Sequence, residues 1–322
     1  MKRFGQEVFL TIESADGTPI LDAAGLRIDF DVKQIQGFSR ASVVIYNLNE
    51  ETIGNLIGGN QDHYATLTTR LHGGNEFVLI DGFYISNSID HKVLPDTITT
   101  LYMYSGLKKK YLEQQVATTA RTSSLDAQLK AIKTATKFPG EFILKSFPKD
   151  FGTFIPPRGA SSMNGSMLEI LELLGRENNF KFWTIGEDIQ IVYLPDLDQV
   201  PLTDLETREF ITLDTNNMRA NPKLSPAQLQ INSNLDGSIV PTAVVDITQL
   251  LTAEIGSPAE TLQIADNFAQ TAVSGYKRFQ VIEVTHKGSN YTGTWNTMAD
   301  CVAPKRGATS PVGKSWFKRQ GE

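Results

Sequence analysis

The sequence predicts a mainly β protein with a small α+β unit in the middle of the chain. Residues 26–33 alternate strictly between apolar and charged side chains. A two-residue period of this kind is typical of a strand with one face in a core and the other in water. Short apolar segments separated by turn residues continue to about residue 106, and a second β-rich stretch begins near residue 206. Two segments with helical periodicity lie between them, which predicts an insert of mixed composition.

The first unit, residues 1–112, is predicted to be nearly all β. The strand at 26–33 is followed by a polar link and by a second alternating strand that ends at Leu48. Asn49 precedes two glutamates, which is the pattern of a helix N-cap with acids in the first turn. The remaining predicted strands are 65–73, 76–93 and 96–106. Several short strands with regular turn signals favour a barrel or a sandwich. The charged face of the first hairpin must meet water or another polar surface.

The middle unit, residues 113–205, is predicted to pack two helices against a small sheet. Ser123 and Ser124 are candidate caps for a helix whose apolar residues recur at spacings of four and three. A strand is expected at 141–147, a loop at 151–166 and a second helix at 166–178. A hairpin that turns at residues 186–187 closes the unit.

The last unit, residues 206–304, is again predicted to be β-rich. Strand segments are expected within 210–214, 223–234, 238–250, 277–287 and 292–303, with a helix at 259–273. Residues 305–322 contain five Lys or Arg residues and one Glu, and we interpret them as a basic extension rather than as core.

Composition limits the class of protein. The chain has 322 residues and a net charge of −6, which disfavours a dedicated nucleic-acid binder. Its single cysteine, Cys301, excludes an internal disulfide framework and is expected to be a buried structural thiol. The sequence contains no apolar run of the roughly 18 residues that a membrane helix needs. The N-terminal residues are interpreted as a first strand, not as a signal peptide, which predicts folding in the cytoplasm.

The sequence predicts no catalytic residue, no cofactor and no metal site. Residues 308–315, ATSPVGKS, satisfy only the loosest form of a phosphate-binding loop, and the seven residues after Ser315 are too few for the required helix. His63 is expected to be solvated, and His286 to make a hydrogen bond or a turn. The carboxylates show no pairing, and no Gly-x-Ser-x-Gly segment occurs. The aromatic pair at Trp316 is interpreted as a protein anchor rather than as a base-stacking site.

Two segments resemble one known family. Residues 26–48, LRIDFDVKQIQGFSRASVVIYNL, and residues 276–304, YKRFQVIEVTHKGSNYTGTWNTMADCVAP, resemble the opening and closing strands of baseplate hub proteins from contractile-tailed bacteriophages. The resemblance implies two tube-like antiparallel β-barrel domains, 1–112 and 206–304, on either side of the α+β domain. It also implies a homotrimer, whose six barrels form a pseudo-six-fold ring that matches the tail tube.

The resemblance further implies a set of partners and a location. The hub would join the tail tube or a tube initiator to the central spike, contact other baseplate proteins, and leave a channel that DNA crosses without specific binding. It would belong to the virion, would be assembled in the host cytoplasm, and would not insert into a membrane. Tailocins and secretion-system devices stay open as alternatives to a phage tail. A β-scaffold cell-wall or carbohydrate hydrolase and a carbohydrate-binding module are the competing functions.

Overall fold

The structure is a computed structural model, in which only part of the chain is described. The described residues are 6–14, 17–23, 25–58, 63–71, 74–90, 96–105, 111, 113–120, 124–145, 161–185, 188–193, 200–201, 205, 208–224, 228–252, 277–293, 295–302 and 304–305. The predicted helix at 259–273, the phosphate-loop candidate at 308–315 and Trp316 lie outside these residues.

The described part of the first unit contains seven strands and one helix. They are β1 (Gln6–Glu13), β2 (Pro19–Asp22), β3 (Ile28–Gln34), β4 (Ser39–Tyr46), α1 (Glu50–Gly58), β5 (Tyr64–Leu71), β6 (Glu76–Asp90) and β7 (Ile98–Ser105). In β3, every even-numbered residue is buried and every odd one is half-buried, as the alternation predicts. The side chain of Asn49 accepts a hydrogen bond from the Thr52 amide at 2.6 Å, which confirms the predicted helix N-cap.

Two helices and two small sheets make up the described part of the middle unit. Its elements are β8 (Gln115–Ala120), α2 (Leu125–Thr136), β9 (Phe142–Lys145), β10 (Ser161–Ser166), α3 (Met167–Asn178), β11 (Phe180–Ile185) and β12 (Asp188–Tyr193). Ser124 caps α2, and Ser166 caps α3 through a reciprocal capping box with Glu169. β11 pairs antiparallel with β12, which pairs parallel with β9. The predicted helices and hairpin are therefore confirmed.

The last unit forms around a long closing hairpin. Its elements are β13 (Val200–Pro201), β14 (Ile211–Thr212), β15 (Met218–Leu224), β16 (Gln228–Asn234), β17 (Val244–Asp246), α4 (Thr248–Thr252), β18 (Arg278–Ser289), β19 (Trp295–Val302) and β20 (Pro304–Lys305). The hairpin of β18 and β19 has a register shift between Val281 and Glu283, which is a β-bulge.

Both β-rich units contribute to one 13-stranded sheet. Its main path runs β15-β16-β19-β18-β3-β4-β7-β6-β5-β1-β2, and β17 and β14 branch from β18. The junction is the antiparallel pair of β18 with β3, which brings together strands about 250 residues apart in sequence. A mainly β architecture with an α+β insert is therefore confirmed, and the two β-rich units share their hydrogen-bonding ladder.

Four apolar clusters hold the fold together. One lies on the inner face of β1 to β7, one inside the middle unit, and one on the inner face of the last unit. The fourth cluster joins the middle unit to the last unit and contains Trp183, Val192, Leu205, Val244 and Val302. Trp295 and Leu235 come from the last unit but belong to the first unit's cluster. The β18–β3 junction thus has a continuous core beneath it.

Two sequence expectations are wrong. Residues 161–166 form β10, paired with β8, rather than the expected loop. Their Ser, Asn and Gly residues carry no apolar alternation, so the strand forms because its partner strand supplies the ladder. His63 is buried rather than solvated, because the two-residue period of β5 places it on the same side as Ala65 and Leu67.

Candidate assembly surface

The junction of the two β-rich units is a six-pair antiparallel ladder. It extends from Gln34 opposite Val284 to Asp29 opposite Ser289. The side chain of Asn290 extends it by one step, because its Oδ1 accepts from the Ile28 amide at 2.8 Å and its Nδ2 donates to the Leu26 carbonyl at 2.6 Å. We call this region, β3 with β18 and the 290–293 turn, the seam.

The buried side of the seam is packed without spare room. Phe30 and Trp295 meet edge to face with ring centroids 5.8 Å apart, and Gly288 lies between their strands. A Cβ at Gly288 would lie 2.4 Å from Phe30 Cζ and 3.1 Å from Trp295 Cε3. Only glycine therefore allows β18 to approach both aromatic rings, and the His-Lys-Gly step noted in the sequence has this steric cause.

Opposite charges meet across the exposed side of the seam. Lys287 Nζ lies 2.7 Å from Asp31 Oδ2, and the two residues are directly opposite in the ladder. Both side chains are more than one-third exposed, so this pair contributes register and solubility more than stability. The prediction that the charged face of the first hairpin meets water or another polar surface is confirmed, and the sequence could not show that Lys287 is the partner of Asp31.

Arg27 lies at the end of the seam and contacts two aromatic side chains. The Arg27 guanidinium lies between two aromatic rings, 3.8 Å from the centroid of Tyr46 and 4.4 Å from that of Tyr291. Tyr46 donates a hydrogen bond to Asp29 at 2.9 Å. Partial burial and this hydrogen bond raise the pKa of the Tyr46 hydroxyl, so it stays protonated and continues to donate. The arrangement joins the start of β3 to the turn after β18.

The exposed side of the seam belongs to a broader polar surface. Two rows of residues in register cross six strands, and we call them together the wetted face. The first row is Tyr102, Ser42, Asp31, Lys287, Asn296 and Asn234. The second row is Tyr104, Arg40, Lys33, Thr285, Met298 and Asn232. All twelve side chains are half-buried or exposed, so one sheet surface of mixed charge extends across both β-rich units.

A shallow depression marks the part of this surface in the last unit. It has a volume of about 370 Å³ and is lined by residues that include Glu283, Thr285, Met298 and Asp300. Glu283 and Asp300 are directly opposite each other on neighbouring strands. Like charges in that position repel, which is tolerable only where water or a polar partner can screen them.

Two groups beneath the surface are suited to structure rather than to chemistry. His286 is fully buried, and its Nδ1 lies 2.9 Å from the Thr297 hydroxyl, as its expected hydrogen-bonding role requires. Burial lowers the pKa of His286 to about 4, although the Ile239 backbone partly opposes the shift. Burial also raises the pKa of the Cys301 thiol, so this cysteine is neutral and inaccessible, as predicted.

The middle unit is attached directly to the seam. Gly37, in the turn between β3 and β4, donates its amide to the Phe182 carbonyl at 3.0 Å. The Trp183 indole donates to the Ile282 carbonyl at 2.9 Å, at the bulge of β18. β11 therefore contacts β18 and the turn that follows β3, so the middle unit is joined to both β-rich units.

The described residues contain no group of three or more His, Cys, Asp or Glu residues placed to hold a metal ion. Within the same part of the chain, no helix is long and apolar enough to span a membrane. The features that sequence reasoning missed are Gly288, Asn290 and the Arg27 stack. The glycine of the His-Lys-Gly step was visible in the sequence, but its packing partners were not.

Comparison with known proteins is informative at the level of structure. The sequence matches no known family profile and no characterised protein. The E. coli c3393 protein, described as a component of the type VI secretion system similar to the T4 tail proteins gp27 and gp5, aligns with a TM-score of 0.53 and 10% identity over 87% of this chain and 74% of its own.

Two tail proteins align over nearly their whole length. The 43 kDa tail protein of prophage MuSo2 from Shewanella oneidensis has a TM-score of 0.53 at 8% identity, covering 92% of this chain and 97% of its own. The tail protein from Neisseria meningitidis MC58 has a TM-score of 0.54 at 10% identity, covering 93% and 97%. At such low identities the likeness concerns the fold alone. This chain therefore has the fold found in those phage-type tail proteins and in the type VI secretion component.

Proposed function

We propose that this chain is a structural, non-enzymatic component of a phage tail baseplate, the hub between the tail tube and the central spike. The observation that carries the proposal is the wetted face, one polar sheet surface that crosses the seam and so belongs to both β-rich units. The fold shared with tail proteins supports the same assignment. A sheet with one dry and one wet face suits a wall between a core and an aqueous passage.

The proposed assembly is a homotrimer. In each subunit, residues 1–112 and 206–304 act as two tube-like domains around the α+β domain 113–205, so that three subunits present six such domains to a six-fold tube. The described pairings end at β2 on one side and at β15 on the other. Sheet ends of this kind are liabilities in a free monomer, and closing a ring with neighbouring copies covers them.

The wetted face is proposed to line the DNA passage. Its charged residues are Asp31, Lys33, Arg40 and Lys287, the acidic pair Glu283 and Asp300 borders them in the depression, and the whole chain carries a charge of −6. Non-specific DNA binding grows with the number of phosphates that Lys and Arg neutralise. A surface that carries both positive and negative charges neutralises few DNA phosphates, which suits the passage of DNA without its retention.

The remaining partners follow from this placement. The ring would bind the tail tube or its initiator on one side and the spike on the other, with other baseplate proteins around it. The protein would be located in the virion tail after assembly in the host cytoplasm. A tailocin or a secretion-system device would use the same arrangement, as the likeness to a type VI component illustrates.

The oligomeric state tests the assembly. Native mass spectrometry of the purified chain is expected to give about 107 kDa, three times the 35.6 kDa chain. Negative-stain class averages of that species are expected to show a ring with a central opening. A stable monomer at micromolar concentration that stays monomeric with its tube and spike partners would contradict the proposal.

The direction of the wetted face is tested separately. A cysteine introduced as Glu283→Cys lies in the depression at the edge of this face, beside Thr285, whereas Lys130→Cys lies on the exposed surface of α2. Both are expected to react with a small maleimide in the trimer, but only Lys130→Cys with a maleimide carried by a bulky polymer. Buried Cys301 supplies the unreactive background. Equal reaction of both variants with the bulky reagent would show that the face points outwards.

A further inference from the structure

Within the described residues, hydrogen bonds hold the sheet of β9, β11 and β12 on the β-rich units at two places. The first is at β11, where the Phe182 carbonyl accepts from the Gly37 amide and the Trp183 indole donates to the Ile282 carbonyl, as described above. Thr184 adds a hydrogen bond from its hydroxyl to the Gly37 carbonyl at 3.0 Å. The second place is at the other side of the same small sheet, where β9 and β12 reach the last unit.

The second support is made of polar side chains that converge on Thr242. Lys145 Nζ, from β9, donates to the Thr242 hydroxyl at 3.1 Å and to Gln190 Oε1, from β12, at 2.5 Å. The Thr242 hydroxyl itself donates to Gln190 Oε1. Three side chains from three segments therefore share one hydrogen-bonded triangle, and the contact between the units depends on all of them.

Residues of the last unit form hydrogen bonds with the backbone of Thr242. The Thr242 carbonyl accepts hydrogen bonds from the Arg208 guanidinium and from Gln280 Nε2, the latter at 3.2 Å. Arg208 also donates to Gln280 Oε1 at 2.8 Å. The Thr242 amide donates to the Val281 carbonyl at 2.8 Å, next to the bulge. Every polar group of Thr242 is thus engaged.

Thr242 adopts a backbone conformation that threonine disfavours. Its φ is +75°, and its side chain is 1% exposed. A β-branched residue at positive φ is an outlier, because its Cβ substituents crowd the backbone in the left-handed region. Such a conformation persists only where surrounding contacts impose it, and here the contacts come from both sides of the joint between the two units. Opening the joint removes the hydrogen bonds to the Thr242 hydroxyl, which are one of the two sets of contacts that hold this conformation.

We propose that Thr242, Lys145 and Gln190 form a strained latch, and that the middle unit tilts about β11 when the latch opens. Hydrogen bonds need a defined distance and angle, so a small tilt breaks this triangle. The apolar cluster around Trp183 and Val192 tolerates the same tilt, because apolar contact is not directional. A cleft of about 360 Å³ beside Lys145, Gln190, Arg208 and Thr242 gives the side chains room to part. The latch is a property of the fold and does not depend on the proposed function.

The tilt is measured as the distance between two spin labels, one attached at Lys130→Cys on α2 and the other at Gln230→Cys on β16. Labelled chains are diluted among unlabelled ones so that only distances within one chain are recorded. The unaltered chain and Thr242→Ser, which keeps the hydroxyl, are expected to give one distance peak. Thr242→Val, which keeps the branched shape but loses the hydroxyl, is expected to add a second, shifted peak. Lys145→Met removes the ammonium group that donates to Thr242 and Gln190, and it is expected to give the same second peak.

Thr184→Val is the matched control, because it removes a threonine hydroxyl from the first support. It is expected to lower thermal stability without producing the shifted peak. Unchanged single peaks for both Thr242→Val and Lys145→Met would overturn the latch, as would a shifted peak that appears equally in Thr184→Val. If Thr242→Val fails to fold, Lys145→Met alone decides, since its side chain approaches from the partly exposed β9.

Discussion

Gly288 provides the sharpest test of the seam. Replacing it by alanine puts a Cβ 2.4 Å from Phe30 Cζ and 2.5 Å from Phe30 Cε1. Carbon atoms in good contact lie about 3.5 Å apart, so the Phe30 ring must retreat by roughly 1 Å. Phe30 is 5% exposed in a continuous core, and its retreat disturbs the edge contact with Trp295. The substitution therefore acts on the junction of the two β-rich units.

The expected cost follows from these contacts. Overpacking a core costs about 1–3 kcal/mol, and a disturbed aromatic pair about 0.5–1.5 kcal/mol. Alanine also lowers the conformational entropy of the unfolded chain, which stabilises the folded state by about 0.4–1 kcal/mol. We expect Gly288→Ala to lower the free energy of unfolding by about 2 kcal/mol, because the clash outweighs the entropic gain.

Urea unfolding at fixed protein concentration, followed by tryptophan fluorescence and circular dichroism, measures this difference. Gly54→Ala is the control, since its added Cβ has no neighbour within 4 Å and alanine favours the helix α1. Phe30→Leu combined with Gly288→Ala removes the clashing ring edge and is expected to recover part of the loss. Wild-type stability in Gly288→Ala, or strict additivity in the double variant, would refute the steric account of the seam.

Three further outcomes are expected. His286 is neutral when folded and binds a proton more readily when unfolded, so its contribution to stability is complete above pH 6.5 and is lost as the pH falls to about 4. The loss is roughly 3 kcal/mol, and urea titrations should show a shallower pH dependence for His286→Gln over that window. The double variant Asp31→Lys with Lys287→Asp reverses the ion pair and should change the free energy of unfolding by less than about 1 kcal/mol. Asp31→Lys alone places two cations opposite each other and should lower the free energy of unfolding more than the double variant does. Ser166→Ala should cost about 1 kcal/mol because it removes the cap shared with Glu169, and no loss in thermal unfolding would show that the capping box is not made.

Local sequence patterns determined the elements whose stabilising groups are close together in the chain. The alternation in β3 fixed which face is buried, because a strand places successive side chains on opposite faces. Asn49 and Ser124 marked helix starts, because the side chain of each accepts a hydrogen bond from an amide only three residues later. Residues 161–166 carried no such signal, and their strand depends on β8, about 45 residues away.

The candidate site was decided by tertiary structure. The charged row in β3 showed that one face is wet, but not that Lys287 lies opposite Asp31 or that the wet surface continues over six strands. Those contacts join residues about 250 positions apart, and no local periodicity records which distant strand pairs with which. The sequence likewise does not show that Thr242 has a left-handed backbone conformation or that Gly288 has no room for a side chain. Contacts from distant segments impose the conformation of Thr242 and limit the size of residue 288. Side-chain periodicity thus set the secondary structure and its faces, whereas long-range strand pairing created the surface on which the proposed assembly depends.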